Sequence, residues 1–239
     1  DTNGFQAGAT REGRWTVVYR DRCSPSPCNL YARQFGPTGL PIATQVAAGT
    51  NGFPITTVPT TSISVPAVAG GATNTVALWN FRRTVGTTTT PGIACRAIDN
   101  TGRAIPDQVD VSLDAATDIV SLAPMSNGNL AATWVGLSPA VIRSTVLRPD
   151  CTAVPGAPIT TASTTANAGR PTVASVGNPP ALMYAWEVNG SVYLRPANAL
   201  NVFQTPNDLM FVPRTTDEVV EFVRVAPLGT GFAVIVRWA

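Results

Sequence analysis

Leu130-Ala131-Ala132-Thr133-Trp134 is a short apolar run closed by a large aromatic, and the same pattern returns as Thr75-Val76-Ala77-Leu78-Trp79, Leu182-Met183-Tyr184-Ala185-Trp186 and Ala233-Val234-Ile235-Val236-Arg237-Trp238. The tryptophans stand 55, 52 and 52 residues apart, and Tyr19, closing Thr16-Val17-Val18-Tyr19, holds the equivalent place 60 residues before Trp79. Self-similarity at such a period marks a repeat architecture, in which each copy is one supersecondary unit that buries its apolar face against the next.

Working outward from the aromatic, each copy continues through a variable polar loop into a second strand that ends in arginine: Tyr31-Ala32-Arg33, Ala94-Cys95-Arg96, Val146-Leu147-Arg148 and Tyr193-Leu194-Arg195. A turn follows at Gly36-Pro37-Thr38-Gly39, Asp99-Asn100-Thr101-Gly102, Asp150-Cys151-Thr152-Ala153 and Ala197-Asn198-Ala199, built from residues that pre-set or tolerate turn geometry. A third strand is expected over 42–47, 108–112, 159–162 and around 203–211, and a fourth over 63–68, 119–122, 172–176 and 219–225. No segment keeps a 3.6-residue apolar period, and 21 prolines and 20 glycines break the chain at short intervals. The expectation is a single all-β, antiparallel repeat domain with units over about 14–69, 70–124, 125–177 and 178–227, and a partial unit from 228–239 with 1–13. In this it resembles the β-propellers as a class, whose blades are four-stranded sheets, and the resemblance implies a small propeller of four to five blades. Paired sheets, as a sandwich or tandem sandwiches, are the alternative. In this division Phe5–Ala9 and Phe232–Trp238 are left over as orphan strands, and Phe232, Val234 and Val236 are expected to mediate self-assembly through an open sheet edge.

Charged residues make up 13% of the chain, against about 25% in ordinary soluble domains, so Thr, Ser, Asn and Gly must carry the surface polarity. All 16 basic residues are arginine and the net charge is +2; no basic run suggests a nucleic-acid footprint. No stretch approaches the roughly 18 apolar residues of a membrane helix. The chain opens at Asp1 without a charged-then-apolar leader, and an exported protein with its signal removed is expected, at the cell surface, in the periplasm or outside the cell. Four cysteines fit that compartment. Cys23 and Cys28 enclose only Ser-Pro-Ser-Pro and are expected to form one disulfide; Cys95 and Cys151, at similar places in consecutive repeats, are expected to form the second.

Histidine and lysine are absent, which removes the usual general base, the Schiff-base amine and the Ser-His-Asp arrangement. Carboxylates remain, with Glu187, Asp208, Glu218 and Glu221 as the candidates for glycoside chemistry. Asp107, Asp110, Asp114 and Asp118 form an acidic segment whose spacing matches no EF-hand loop, so no metal and no cofactor are expected. Arg33, Arg96, Arg148 and Arg195 are candidate ligands for anions or acidic sugars, set against a repeated structural hydrogen bond. In carrying several arginines on a propeller-like repeat the chain is similar to the sialidases, which bind a carboxylate through several arginines, although it lacks their Ser-x-Asp-x-Gly-x-x-Trp box and is short for that fold. Tyr19, Trp79, Trp134, Trp186 and Trp238 are expected as core aromatics between units. Asn189-Gly190-Ser191 is a formal glycosylation triplet. Together these features predict a structural or adhesive protein without enzymatic activity, with a lectin-like glycan-binding module as the alternative and a carboxylate-dependent glycosidase as the second.

Overall fold

A computed structural model of the chain describes residues 4–10, 12–20, 28–42, 52–57, 60, 62–71, 73–105, 107–114, 119–137, 140–163, 168–213 and 220–238. Every regular element among them is a β-strand and every pairing is antiparallel. The chain divides into two compact units, residues 1–118 with 149–152, and residues 119–148 with 153–239.

In the first unit, β1 (Phe5–Ala9), β2 (Trp15–Arg20), β3 (Leu30–Phe35) and β4 (Phe53–Pro54) form one meander sheet. A second sheet orders β5 (Ser62–Ile63), β7 (Thr75–Val85), β8 (Thr88–Ile98) and β9 (Val109–Ser112), with β6 (Ala67–Gly70) also pairing β7. The second unit holds the meanders β10 (Val120–Pro124), β11 (Leu130–Val135), β12 (Ile142–Leu147), β13 (Thr160–Thr161) and β14 (Ala168–Val176), β15 (Ala181–Val188), β16 (Ser191–Asn198), β17 (Leu209–Val212). A two-stranded sheet of β18 (Val220–Leu228) and β19 (Gly231–Trp238) completes it.

These sheets are phased one strand earlier than the expected units. The strand expected to close one unit instead opens the next sheet, as β6, β10, β14 and β18, hydrogen-bonded to the aromatic strand that follows it. For β10, β14 and β18 the physical reason is connection length: each is joined to the aromatic strand by a shorter connection than the one that leads into it, whereas β6 follows β5 closely and both pair with β7. Neither terminal strand is therefore an orphan. Phe5 to Ala9 pair residue for residue with Tyr19 to Trp15, and β19 pairs along β18. The expected strand over 42–47 lies, beyond Ile42, outside the described residues; Phe53–Pro54 pairs with β3 in its place.

Alternation decides which side chains enter the core. Val18, Leu30 and Ala32 leave the first sheet on one face and pack with Ala77, Trp79, Phe81 and Ala94 of the second. Ala174, Ala185 and Val192 similarly meet Val220, Val223 and Val225, with Phe232, Val234, Val236 and Trp238 partly buried against them. The strands that carry the tryptophans at 79, 134 and 186 are buried on both faces over much of their length, which is why they read as near-continuous apolar runs. After β3, β8, β12 and β16 the same turn recurs, closed by the bridges Phe35–Pro41, Ile98–Ala104, Leu147–Ala153 and Ala197–Phe203. Asp99, Asp150 and Asn198 hold it through Oδ1, which accepts the N–H of Thr101, Thr152 and Leu200 at 2.9 Å in each case.

Candidate functional site

Three of the four arginines share one register position. Arg33 lies opposite Val17, Arg96 opposite Ala77 and Arg195 opposite Tyr184, each two residues before the aromatic of its strand. In the third sheet the corresponding residue, opposite Ala132, is Thr145, and Arg148 lies exposed beyond the end of β12. Arg96 donates from Nε to the Ile105 carbonyl at 2.9 Å and from Nη1 to the Ile55 carbonyl at 2.8 Å. Burial pushes its pKa down and the nearby Asp107 carboxylate pushes it back up. Arg195 repeats the arrangement, with Nε and Nη2 on the Thr205 carbonyl at 3.2 and 3.0 Å and Nη1 on the Ala162 carbonyl at 2.6 Å. Its guanidinium stacks 4.4 Å from the Phe203 centroid and lies 3.9 Å from the buried Asp208 carboxylate. Two of the candidate anion ligands thus spend their donors on main-chain carbonyls. Arg33 differs: its Nε is buried with no hydrogen-bond partner among the described residues.

Of the carboxylates, Asp208 answers Arg195 and Glu221 is paired with Arg237. Asp217 and Glu218 lie outside the described residues. In the acidic segment Asp110 forms a two-oxygen pair with Arg83 at 3.0 and 3.2 Å, the Asp114 N–H donates to Ser112 Oγ, and Asp118 is not among the described residues. No three His, Cys, Asp or Glu side chains converge on a common point among the described residues.

Glu187 stands apart. It follows buried Trp186 near the end of β15, is half-buried, and its Oε1 accepts the Gly190 N–H at 2.6 Å. Asn189 and Gly190 take φ of 51° and 84°, the tight left-handed hairpin turn that an Asn-Gly pair favours, so the glycosylation triplet is also a hairpin turn. Across the sheet Glu187 pairs with Gly169, where an added Cβ would lie 3.5 Å from Glu187 Oε2. The register slips between Gly169 and Thr172, and Arg170 is driven to φ 53°, from where Nη1 donates to the Val220 and Glu221 carbonyls. A bulge carrying a non-glycine left-handed residue beside a half-buried carboxylate is a combination that recurs at functional sites. A carboxylate anchored through one oxygen, with glycine leaving room beside the other, can serve as proton donor, proton acceptor or nucleophile.

The tryptophans at 79, 134 and 186 are fully buried, and Nε1 of Trp79 and of Trp186 finds no acceptor among the described residues. Tyr19 and Trp238 are only partly buried. Cys95 and Cys151 are bonded. Cys28 is disulfide-bonded and buried, while Cys23 lies outside the described residues. One network had no sequence signal: buried Tyr184 donates its hydroxyl to Asn201 Oδ1 at 2.9 Å, and Asn201 Nδ2 donates to Ser144 Oγ and Thr160 Oγ1 at 3.0 and 2.9 Å. Burial raises the Tyr184 pKa. The network closes on itself and reads as a satisfied polar core.

The sheets define an all-β antiparallel repeat protein of the β-propeller type. No family model matches the chain, and no curated protein does. Among solved structures it is similar to the Hadza microbial sialidase Hz136, at 15% identity and a TM-score of 0.56 over 94% of this chain and 50% of that one. It is also similar to a GH43_1 enzyme from Xanthomonas citri, at 9% identity and 0.54 over 97% and 81%. A third likeness is to the polysaccharide lyase Uly1, at 10% identity and 0.54 over 97% and 54%. The chain spans about half the length of the sialidase and of the lyase. This company overturns the expectation of a structural or adhesive protein without enzymatic activity: the fold is shared with carbohydrate enzymes.

Proposed function

We propose that the protein acts on carbohydrate, as a glycoside-cleaving enzyme that works through carboxylates, with Glu187 foremost. The observation that carries this reading is the likeness, over nearly the whole chain, to a sialidase, a GH43_1 enzyme that has also been solved with xylose, and a polysaccharide lyase. The chain's own chemistry agrees. With no histidine and no lysine, acid–base work falls to Asp and Glu, and glycoside cleavage needs only two such groups. Glu187 offers an anchored oxygen, a glycine-bordered second oxygen and a strained backbone beside it. A partner carboxylate must complete the pair. The Cys95–Cys151 disulfide fits an exported enzyme meeting glycans outside the cytoplasm.

The test is hydrolysis of aryl glycosides of xylose, arabinose and sialic acid by the protein and by Glu187→Gln. Release of the aryl group that falls at least a hundredfold in Glu187→Gln, with melting unchanged, supports the reading. Equal turnover by both proteins removes Glu187 from the chemistry. No cleavage of any glycoside removes the hydrolase reading.

A further inference from the structure

The outer face of the first sheet is lined differently from the faces that carry Arg96 and Arg195. Residues directly paired across antiparallel strands project from the same face. Tyr19 pairs with Tyr31 and Trp15 with Phe35, while between these rows Val17 pairs with Arg33. The Trp15 and Phe35 rings stack at 4.6 Å with their planes 20° apart, and Tyr19 and Tyr31 stack at 5.9 Å with the same inclination. Arg33 sits in the middle row, its guanidinium carbon 5.8 Å from the Phe35 centroid. On the other side of β2 the middle and Trp15 rows continue onto β1 only as Ala7 and Ala9, which are exposed. Trp15 is itself 36% exposed.

At the same register position the guanidinium of Arg96 is held by the carbonyls of Ile105 and Ile55, and that of Arg195 by those of Thr205, Pro206 and Ala162. Arg33 makes none of these bonds, and its Nε–H is buried without an acceptor among the described residues. A buried guanidinium donor left without an acceptor is costly, so an acceptor arriving from outside the sheet gains more here than at an exposed arginine. Two aromatic pairs beside a low alanine floor supply apolar ring surface, against which the C–H face of a sugar packs, and Arg33 supplies a planar donor fork for a carboxylate.

We propose that this face is a binding site for acidic sugars, in which Arg33 takes the sugar carboxylate and Trp15 packs against the ring. The site is distinct from the Glu187 corner and rests on the reading of the protein as one that acts on carbohydrate. Calorimetric titration with sialyllactose and trigalacturonate, with lactose as the neutral control, tests it. At least one acidic sugar is expected to bind at least tenfold more tightly than lactose. Arg33→Ala and Trp15→Ala should each weaken that binding at least tenfold, and Arg33→Lys by less than Arg33→Ala. Glu187→Gln should bind as the parent does, which separates this site from the cleavage chemistry. Thermal melting of each variant checks that the sheet is intact, and if Arg33→Ala fails to fold, Arg33→Lys and Trp15→Ala carry the test. Failure of both acidic sugars to bind, or undiminished binding by the Arg33 variants, overturns the proposal even where aryl glycosides are cleaved. If sedimentation shows the protein associating through Arg33 while no sugar binds, the face receives another protein and the proposal is equally overturned.

Discussion

Arg96 and Arg195 show how a repeated residue can serve the fold through main-chain carbonyls. Each feeds the carbonyl of a residue nine or ten positions ahead and a second carbonyl on another strand connection, a use that the recurrence of arginine along the sequence does not by itself separate from anion binding. Arg96→Met or Arg195→Met strands several buried acceptors, and because a buried unsatisfied group costs about 1–3 kcal/mol, each should destabilise by about 2–4 kcal/mol in chemical denaturation. Arg148→Ala, on an exposed residue, should stay within about 0.5 kcal/mol of the parent. A loss at Arg148 as large as that at Arg96 would mean the register position is not what distinguishes them. Glu187 was legible as a residue type, but its setting was not. The bulge that places Gly169 opposite it and turns Arg170 left-handed arises from backbone pairing that no local pattern announces.

At the scale of strands, those carrying Trp79, Trp134 and Trp186 were plain in the sequence because burial on both faces over much of their length makes long runs of them apolar. Their phase was not, since an apolar strand between two others does not reveal in its composition which neighbour takes its hydrogen bonds. Trp134→Ala should cost roughly 3–5 kcal/mol, as removal of a fully buried ring does. Gly70 gives a sharper test of strand placement: a Cβ there would lie 1.6 Å from the Ala9 carbonyl oxygen, a backbone atom that has no rotamer through which to move away. Gly70→Ala should therefore destabilise by more than the roughly 0.5–1 kcal/mol that glycine's flexibility alone would return in the opposite direction. Melting at or above the parent temperature would show that β1 and β6 do not approach as described. The Cys95–Cys151 bond spans a separation of 56 residues, for which the chain-entropy estimate is about 4 kcal/mol. Cys95→Ser with Cys151→Ser should lower stability by up to that amount.

For the molecule as a whole, the absence of histidine and lysine sets the pH dependence. No side chain with an ordinary pKa between those of the carboxylates and the thiols is present, and Cys28, Cys95 and Cys151 are bonded. Stability should accordingly be flat from about pH 6 to 8, because the folded and unfolded chains bind the same number of side-chain protons there. On the acid side it must fall. Burial alone would raise the Asp99 pKa, but the N–H groups of Arg103 and Thr101 and the Thr101 hydroxyl bond its carboxylate and hold it below the ordinary value. A depressed carboxyl contributes stability that is fully present above the unfolded pKa of about 3.9 and is lost as pH falls through the folded one. Melting temperatures across pH 3–9 should form a plateau that breaks only below about pH 4, and Asp99→Asn should soften that break. The same arithmetic constrains the proposed chemistry, since any limb of a pH–rate profile between pH 5 and 8 would have to come from a carboxyl raised by its surroundings rather than from an imidazole. A slope in stability near pH 8 would point to a titrating thiol or to the α-amino group, and the one cysteine outside the described residues is Cys23. Mass spectrometry of a non-reduced digest then decides whether Cys23 is the partner of bonded Cys28; free thiols at both positions would account for the slope and contradict the bonded state of Cys28, and a bonded pair with a sloping profile leaves the α-amino group, with an ordinary pKa of about 7.7–8.0, as the titrating one.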